Sequence, residues 1–299
     1  MKRLSALVLV SVAAPLWAVA CGSSPTSPSP APTPDPVPVL ASCATWVNTL
    51  RATGVPAGAG AVATQRETLY SDGGGVKAVG NKYWAAWFPS NWATTSPRRV
   101  MVDLHGTGGA PETEWTTDWR TIFKARNWAW IGLKYVDGTT GVHDDDPVIY
   151  TNLKTMLAEI AASCDFGSPS MFLEGYSRGS ANTFPIAYLD LKDRRFFKAM
   201  GSNSGAWMIG GPLTGTMQGV VSRGETTGYA GTKFWMYCGA RDLEHGYPMC
   251  DEMNIAKTWV TNYGGTVEKL YEDPTGAHGG LAKNADAWGQ MFTYFESLR

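Results

Sequence analysis

The stretch Ser170–Ser180, which reads SMFLEGYSRGS, decides how the rest of the chain is interpreted. Its apolar residues Met171–Leu173 are typical of a short buried strand. The next five residues, Gly175–Gly179, follow the pattern G-x-S-x-G and lead into a largely apolar helix start. A strand that turns abruptly into a helix crowds its own backbone, so glycine is needed on both sides of the turn. The stretch therefore predicts a strand, a tight turn and a helix, with Ser177 exposed at the tip.

A serine in this position is a candidate nucleophile. The amide of Arg178 would lie at the N-terminus of the following helix, where a developing oxyanion is stabilised. The pentapeptide also arises by chance in chains rich in glycine, and this chain has 34 glycines. The chemical interpretation therefore depends on the motifs that accompany it.

The composition and the N-terminus indicate one folded domain behind an export signal. The chain has 299 residues, 44% hydrophobic and 17% charged, and a net charge of −1 gives no basic surface for nucleic acid. The positive residues Lys2 and Arg3 and the apolar run that follows them predict a signal peptide over 1–20. Ala18–Cys21 is similar to the lipobox of bacterial lipoproteins, with Ala18 in place of the usual leucine. We expect a bacterial envelope protein anchored to the membrane by lipid on Cys21, with simple secretion as the alternative.

A spacer and two disulfides are predicted next. Residues 21–41 hold the lipidated cysteine and a Pro/Ser-rich linker, a polyproline-like or plainly flexible spacer before a domain at 42–299. The four remaining cysteines predict two disulfides, for which three pairings exist. We favour one pair that encloses a candidate catalytic acid and one that ties down the start of the domain: Cys238 with Cys250, and Cys43 with Cys164. The cysteine spacings fit no zinc pattern, so we expect no metal.

Short apolar runs alternate with helix-like stretches along the domain. Strands are predicted at 83–88, 100–104, 129–133, 171–173, 197–200, 234–237 and 267–271. Helices are predicted at 112–126, 146–162, 178–191, 248–262 and 284–297, with Asp146 as the cap of the second. This order predicts an α/β fold with a mostly parallel sheet covered on both faces, and ligands bind beyond the carboxyl ends of such strands. Core positions are expected for most tryptophans, including Trp84, Trp87, Trp128, Trp130 and Trp235.

The first strand-end motif is the glycine-rich turn after the strand at 100–104, which reads HGTGG over residues 105–109. A turn without bulky side chains can aim main-chain amides at a substrate carbonyl, so an amide near Gly106 or Thr107 is the candidate second half of an oxyanion hole. A purely structural turn is the alternative. We expect His105 to orient this turn and not to act as a base.

Two further strand ends supply a candidate acid and a candidate base. Asp242 follows the strand at 234–237, and Glu244 competes with it for the role of the carboxylate that orients a histidine. His278 lies in the small-residue loop GAHGG after the last strand and is the candidate general base. His245 is too close in sequence to Asp242, and His143 precedes the nucleophile.

The connection at 205–231 is rich in glycine and poor in periodicity. Such connections form lids or substrate walls, and Trp207 and Met208 are candidate substrate-binding residues there.

The order serine, acid, histidine resembles the α/β-hydrolase superfamily over about residues 65–299. The HGTGG turn, Asp144–Asp146 ahead of a helix, and the GYSRG elbow resemble exported esterases grouped with polyhydroxybutyrate depolymerases and feruloyl or acetylxylan esterases. Those esterases carry a small or amide residue and then Gly-Gly after the serine, where this chain has Arg178–Ser180. The Ser-Arg pair is similar to glucuronoyl esterases, whose preceding cysteine is Tyr176 here, so the substrate stays open.

The motifs predict a serine esterase that uses a Ser-His-Asp triad and needs no cofactor, and the resemblance implies carboxylic esters of plant cell walls or polyesters as substrates. A monomer is expected for a tethered domain of this size. The competing hypothesis is a non-catalytic surface protein that binds a polymer with a hydrolase scaffold. The esterase hypothesis requires the side chains of Ser177, His278 and Asp242 to lie together in one site, and the binding-protein hypothesis does not.

Overall fold

The computed structural model describes residues 40–56, 60–136, 142–206, 215–243 and 246–298. Several sequence-based predictions lie outside these residues: the signal peptide, the lipidation site Cys21, nearly all of the linker, Trp207, Met208, Glu244 and His245.

Within the described residues, eight strands form one sheet in the order β1-β2-β4-β3-β5-β6-β7-β8. Their bounds are β1 Gly75–Val79, β2 Lys82–Trp87, β3 Arg99–Leu104, β4 Ala129–Leu133, β5 Ser170–Tyr176, β6 Phe197–Asn203, β7 Lys233–Gly239 and β8 Thr266–Asp273. β2 runs antiparallel to β1 and β4, and every later pairing is parallel. The predicted mostly parallel sheet is confirmed.

The predicted strands all lie in this sheet, and their ends differ from the prediction by at most three residues. β5 and β6 run further than predicted because their last residues are glycine or polar, yet neighbouring strands still pair with them. β1 is absent from the prediction, since a five-residue strand that begins with glycine and contains Lys77 gives little local signal.

The described helices are α1 Cys43–Thr49, α2 Ala61–Ser71, α3 Pro111–Glu114, α4 Thr117–Arg126, α5 Asp146–Ser163, α6 Arg178–Lys192, α7 Gly215–Ser222, α8 Met249–Asn262 and α9 Ala285–Ser297. The single helix predicted at 112–126 is two helices, because the Thr116 side chain accepts a hydrogen bond from the Trp119 amide and starts α4 anew. The cap of α5 is Asp145 and not Asp146, which is already helical. None of the described helices is both long and apolar enough to cross a membrane.

Helices cover both faces of the sheet. One core cluster contains residues from α1, α5, α6 and α8, and the other contains residues from α2, α4 and α9. The five tryptophans predicted to be core are all buried. In the described part of the stretch predicted to form a lid or substrate wall, α7 forms, and Met217, Val220 and Tyr229 are buried in the first cluster.

Both favoured disulfides are formed in the structure. Cys43 of α1 is bonded to Cys164 at the end of α5, and Cys238 of β7 is bonded to Cys250 of α8. The second bond spans a separation of 12 residues and holds the segment that contains Asp242.

Candidate active site

Ser177 lies at a sharp turn between β5 and α6. Its φ of 53° and ψ of −115° are unusual for a residue with a side chain, and such strain is tolerated only where the surroundings fix it. The Ser177 amide donates to the carbonyl of Asn203 at 2.8 Å. A Cβ on Gly205 would lie 2.3 Å from the Ser177 carbonyl oxygen, and one on Gly175 would lie 2.2 Å from that of Gly179. Glycine is therefore required around this turn, as the sequence pattern predicts.

The turn after β3, residues 105–109, lies directly against Ser177. Gly109 donates its amide to the Gly106 carbonyl at 3.0 Å, and Gly108 has a φ of 70°. A Cβ on Gly106 would lie 3.4 Å from the Ser177 Cβ and 3.0 Å from the ring of Tyr176. The main chain of this turn therefore borders the serine without an intervening side chain.

His105 holds the turn from beneath. It is fully buried, its Nδ1 lies 2.7 Å from the Gly106 carbonyl oxygen, and its ring stacks on Tyr135 with centroids 4.5 Å apart. Burial, and then the charge of Lys134, lower the pKa of His105 to about 3. Burial, and then Arg178, lower the pKa of His143 to about 4. Both histidines are therefore neutral near pH 7.

His278 and Asp242 meet across the carboxyl ends of β7 and β8. Nδ1 of His278 lies 2.7 Å from Oδ2 of Asp242, and their side chains are 18% and 1% exposed. The two loops also interlock through their main chains, since the Arg241 amide donates to the Gly276 carbonyl at 2.9 Å. A carboxylate at Nδ1 favours the tautomer with a proton there, which leaves Nε2 as an acceptor.

Asp273, at the end of β8, organises the loop that carries His278, and the sequence analysis missed it. Its Oδ1 accepts from the Thr275 amide at 2.9 Å, and its Oδ2 accepts from Asn284 at 2.7 Å and from Tyr237 at 3.0 Å. Burial opposes the charge of Asp273, but these hydrogen bonds outweigh it and lower its pKa to about 2. The Asp-Pro-Thr-Gly turn sequence was the available signal.

A cleft of about 390 Å³ lies beside His278. Its wall joins the candidate base, the candidate oxyanion turn and the elbow: Gly106, Thr107, Gly109, Thr113, Glu114, Thr116, Asp118, Trp119, Tyr176, Asn203, His278, Gly279, Ala282 and Lys283. The rings of Tyr176 and His278 lie 5.0 Å apart, which brings the residue before Ser177 to the candidate base. Among the described residues, no group of histidine, cysteine or acidic side chains is arranged to hold a metal ion.

Two carboxyl groups that the sequence analysis did not single out are buried in the sheet, on the strands that lead to the turn at 105–109 and to the elbow. Asp103 of β3 and Glu174 of β5 are opposite each other in the sheet and buried. Asp103 accepts from Trp130 at 3.0 Å, and burial raises the pKa of Asp103 to about 6. Burial, and then Asp103, also raise the pKa of Glu174 well above its usual range. The only sequence signal was a carboxyl inside the predicted strand at 100–104, for Asp103, and one directly after the predicted strand at 171–173, for Glu174.

The chain matches no protein-family model and no curated protein, but it does match solved structures. Est1E from Butyrivibrio proteoclasticus is 14% identical with a TM-score of 0.53, and the match covers 75% of this chain and 99% of that one. Esterase E25 is 14% identical with a TM-score of 0.57, and the match covers 80% and 83% of the two chains. An arylesterase is 10% identical with a TM-score of 0.51, and the match covers 75% and 82%.

These similarities and the strand order place the chain in the α/β class, in which helices pack on both faces of a mostly parallel sheet. More particularly, the chain has the α/β-hydrolase fold.

Proposed function

We propose that the protein is a serine hydrolase that cleaves carboxylic esters, with Ser177 as nucleophile, His278 as general base and Asp242 as the acid that orients the histidine. The observation that carries this proposal is the 2.7 Å contact between His278 Nδ1 and Asp242 Oδ2, formed beside an elbow that holds Ser177 at a positive φ. A histidine whose Nδ1 proton is held by a buried carboxylate presents Nε2 to accept the proton of the serine.

The proposed reaction has two halves. Ser177 attacks the ester carbonyl while His278 takes its proton, and the resulting imidazolium is stabilised by Asp242. His278 then returns the proton to the leaving alcohol, which leaves an acyl group on Ser177. Water activated by His278 releases the acid and restores the serine.

The negative charge of each tetrahedral intermediate needs hydrogen-bond donors. Arg178 is the first residue of α6, a position where the main-chain amide has no acceptor within its own helix. The turn at 105–109 offers a second amide, from Gly106 or Thr107, against the same serine. Loss of one such donor in other enzymes lowers kcat by about 10²–10³-fold.

The fold neighbours and the cleft support an ester substrate. Matched structures are named as esterases, and one contains ferulic acid bound to Est1E from Butyrivibrio proteoclasticus. In this chain the cleft wall is mixed, since polar Thr113, Thr116, Asp118 and Lys283 line it together with Trp119. We propose plant cell-wall or polyester esters as the substrate class.

The test is hydrolysis of p-nitrophenyl acetate, butyrate and octanoate, methyl ferulate and a methyl ester of glucuronic acid by the wild type and by Ser177→Ala. Turnover that disappears in Ser177→Ala supports the serine mechanism, and the order of rates identifies the preferred acyl group. Equal rates for both proteins would contradict it. Binding of an insoluble polysaccharide without turnover would instead favour the non-catalytic surface protein.

We also propose that the protein is exported and anchored by lipid on Cys21. Two disulfides, which are typical of oxidising compartments, support export. Expression of the full chain and of Cys21→Ala, followed by membrane fractionation, tests the anchor. The wild type is expected in the membrane fraction and the variant outside it; equal distribution would contradict lipidation.

A further inference from the structure

The cleft at His278 is the first of three hollows that follow one another along the surface. A second hollow, of about 490 Å³, is lined by His278 and Lys283, which also line the cleft. A third, of about 560 Å³, shares Ala285 with the second. The second and third hollows, here called the side groove, therefore lead away from the candidate base.

Helix α9 forms one wall of the side groove. Its first and last residues, Ala285 and Ser297, both line the groove, which at 1.5 Å per helical residue extends about 18 Å along the helix. Between them, Asp286, Gln290 and Tyr294 line the groove at intervals of four residues, which places them on one face of the helix. The side groove thus suits an extended chain better than a small ester.

Strand β8 forms the other wall, where an irregular register brings two charged side chains to the groove. Phe234 of β7 pairs with Val267 and Trp235 pairs with Lys269, so Glu268 is an extra residue in the ladder. A β-bulge of this kind changes the direction of a side chain. Glu268 and Lys269 are neighbours in the strand, and both line the groove.

Hydrogen bonds between side chains of the groove fix their positions. Oδ2 of Asp286 accepts from the Tyr271 hydroxyl at 2.8 Å and from Nε2 of Gln290 at 2.9 Å. Lys269 donates to Oε1 of the same glutamine. Within the described residues, the Tyr294 hydroxyl makes no hydrogen bond, and it lines the groove. Because these side chains are already held, a ligand loses less of its binding energy to ordering them.

Positive and negative side chains balance along the side groove. Its lysine and arginine residues are Arg126, Lys269 and Lys283, and its carboxylates belong to Glu268, Asp273 and Asp286. An anionic polymer would call for an excess of positive charge. An aliphatic polyester would take these charged groups from water without replacing their hydrogen bonds, which is costly. A neutral chain with many hydroxyl groups, each both a donor and an acceptor, satisfies such a lining.

From this arrangement we propose that the side groove binds a neutral polysaccharide and that the substrate is an ester carried on such a chain. The inference rests on the proposed serine esterase activity and narrows its substrate class. The ester group lies between Ser177 and His278, and neighbouring sugar units extend past Lys283 and Ala285 along α9. Contacts made equally in the ground state and the transition state lower KM without raising kcat. The groove therefore favours polymer-linked esters through KM.

Two variants and two matched controls test the proposal. Ala285→Arg places a long side chain where the second and third hollows meet, and Gln290→Ala removes the amide at the centre of the hydrogen-bond network. Arginine and alanine both favour a helix, so the variants are expected to fold. The controls are Ala158→Arg on α5 and Thr258→Ala on α8, two exposed positions on helices that pack in the other core cluster.

Kinetics are compared between esters that share an acyl group: methyl ferulate with feruloylated neutral arabinoxylan, and p-nitrophenyl acetate with acetylated neutral xylan oligosaccharides. For the wild type we expect a KM per ester group about tenfold lower on the polymer-linked ester. Ala285→Arg and Gln290→Ala should raise that KM by about 5–20-fold and keep kcat/KM on the small ester within about twofold of wild type. Both controls should behave as wild type on all substrates.

Binding is measured separately in the Ser177→Ala background, which cannot turn the ester over. Electrophoresis through gels that contain neutral arabinoxylan should retard this protein, and adding Ala285→Arg should abolish the retardation. Polygalacturonate, an anionic polymer, should cause none.

Other results would overturn the inference. Equal KM for small and polymer-linked esters in the wild type, or equal losses in Ala285→Arg and Ala158→Arg, would exclude the groove as a polymer site. Retardation by polygalacturonate alone would show an anionic ligand instead. In each case Ser177-dependent hydrolysis of the small esters would leave the esterase proposal standing. If no ester is hydrolysed in a manner that depends on Ser177, the proposed function fails, and the assignment of the substrate fails with it.

Discussion

The main chain of Gly179 packs so tightly against Leu104 that a Cβ on Gly179 would lie 1.8 Å from the Leu104 carbonyl oxygen. This contact joins the first turn of α6 to the end of β3 and thereby joins the elbow to the turn at 105–109. No side-chain rotation relieves it, because the obstacle is main chain.

Gly179→Ala is therefore expected to abolish activity and to lower stability by more than 3 kcal/mol, in the range of the most damaging substitutions. Gly289→Ala is the control, since its Cβ would meet no atom within 4 Å and alanine favours a helix interior by about 1 kcal/mol over glycine. Urea unfolding and p-nitrophenyl ester hydrolysis measure both effects. An active, stable Gly179→Ala protein would contradict this packing.

Asp242→Asn is expected to lower kcat by about 10³–10⁴-fold with little change in unfolding temperature. An amide at this position no longer enforces the tautomer of His278 that has its proton on Nδ1. Asp251→Asn, a change to an exposed carboxylate at the start of α8, serves as control and should keep wild-type kcat. If Asp242→Asn retains more than a tenth of the activity, another carboxylate, Glu244 first, must orient the histidine.

The two disulfides should separate stability from activity. Replacing Cys43 and Cys164 by alanine removes a bond across 121 residues and is expected to cost about 5 kcal/mol of stability, while folded molecules keep their kcat. Replacing Cys238 and Cys250 removes a bond across 12 residues and is expected to cost about 3 kcal/mol. Because that loop carries Asp242, kcat should also fall. Equal kcat for both variants would contradict the role of the second bond.

Asp273→Asn is expected to weaken the protein most at neutral pH and least in acid. The pKa of Asp273 is about 2, below its ordinary value of 3.8, so the carboxylate stabilises the fold above pH 4 and this contribution disappears as the pH falls toward 2. We expect a difference of about 2 kcal/mol in unfolding free energy at pH 6 that vanishes near pH 2. A difference independent of pH would contradict this assignment.

The same variant should also be slower as a catalyst at pH 7. The Asp273 carboxylate accepts hydrogen bonds from the Thr275 amide and from Asn284, and an asparagine at this position accepts them less strongly. The loop that carries His278 should then be less firmly positioned. Thr293→Ala, on the exposed side of α9, is a suitable control. Unchanged kcat in Asp273→Asn would show that Asp273 stabilises the fold without positioning His278.

The sequence by itself determined the features that depend on neighbouring residues. The elbow at Gly175–Gly179, the buried strands and the helices α5, α6, α8 and α9 follow from apolar spacing and from glycine at a crowded turn. The same local logic fails where a neighbour in space decides. β1 forms because β2 pairs with it. The division of 112–126 at Thr116 is different, because it depends on a local cap: the Thr116 side chain accepts from the Trp119 amide three residues further on, a signal that the helix prediction missed.

In the candidate site, too, some features could be predicted from the sequence and others depend on the tertiary structure. Strand-end positions in the sequence indicated Ser177, Asp242 and His278 as candidates, because parallel strands bring their carboxyl ends to one edge of the sheet. Only the tertiary structure decided that Asp242 and His278 are in contact across 36 residues and that Asp273 holds the loop of the histidine. Carboxylates occur throughout the chain, and what distinguishes these is the set of donors and the burial that a folded backbone places around them.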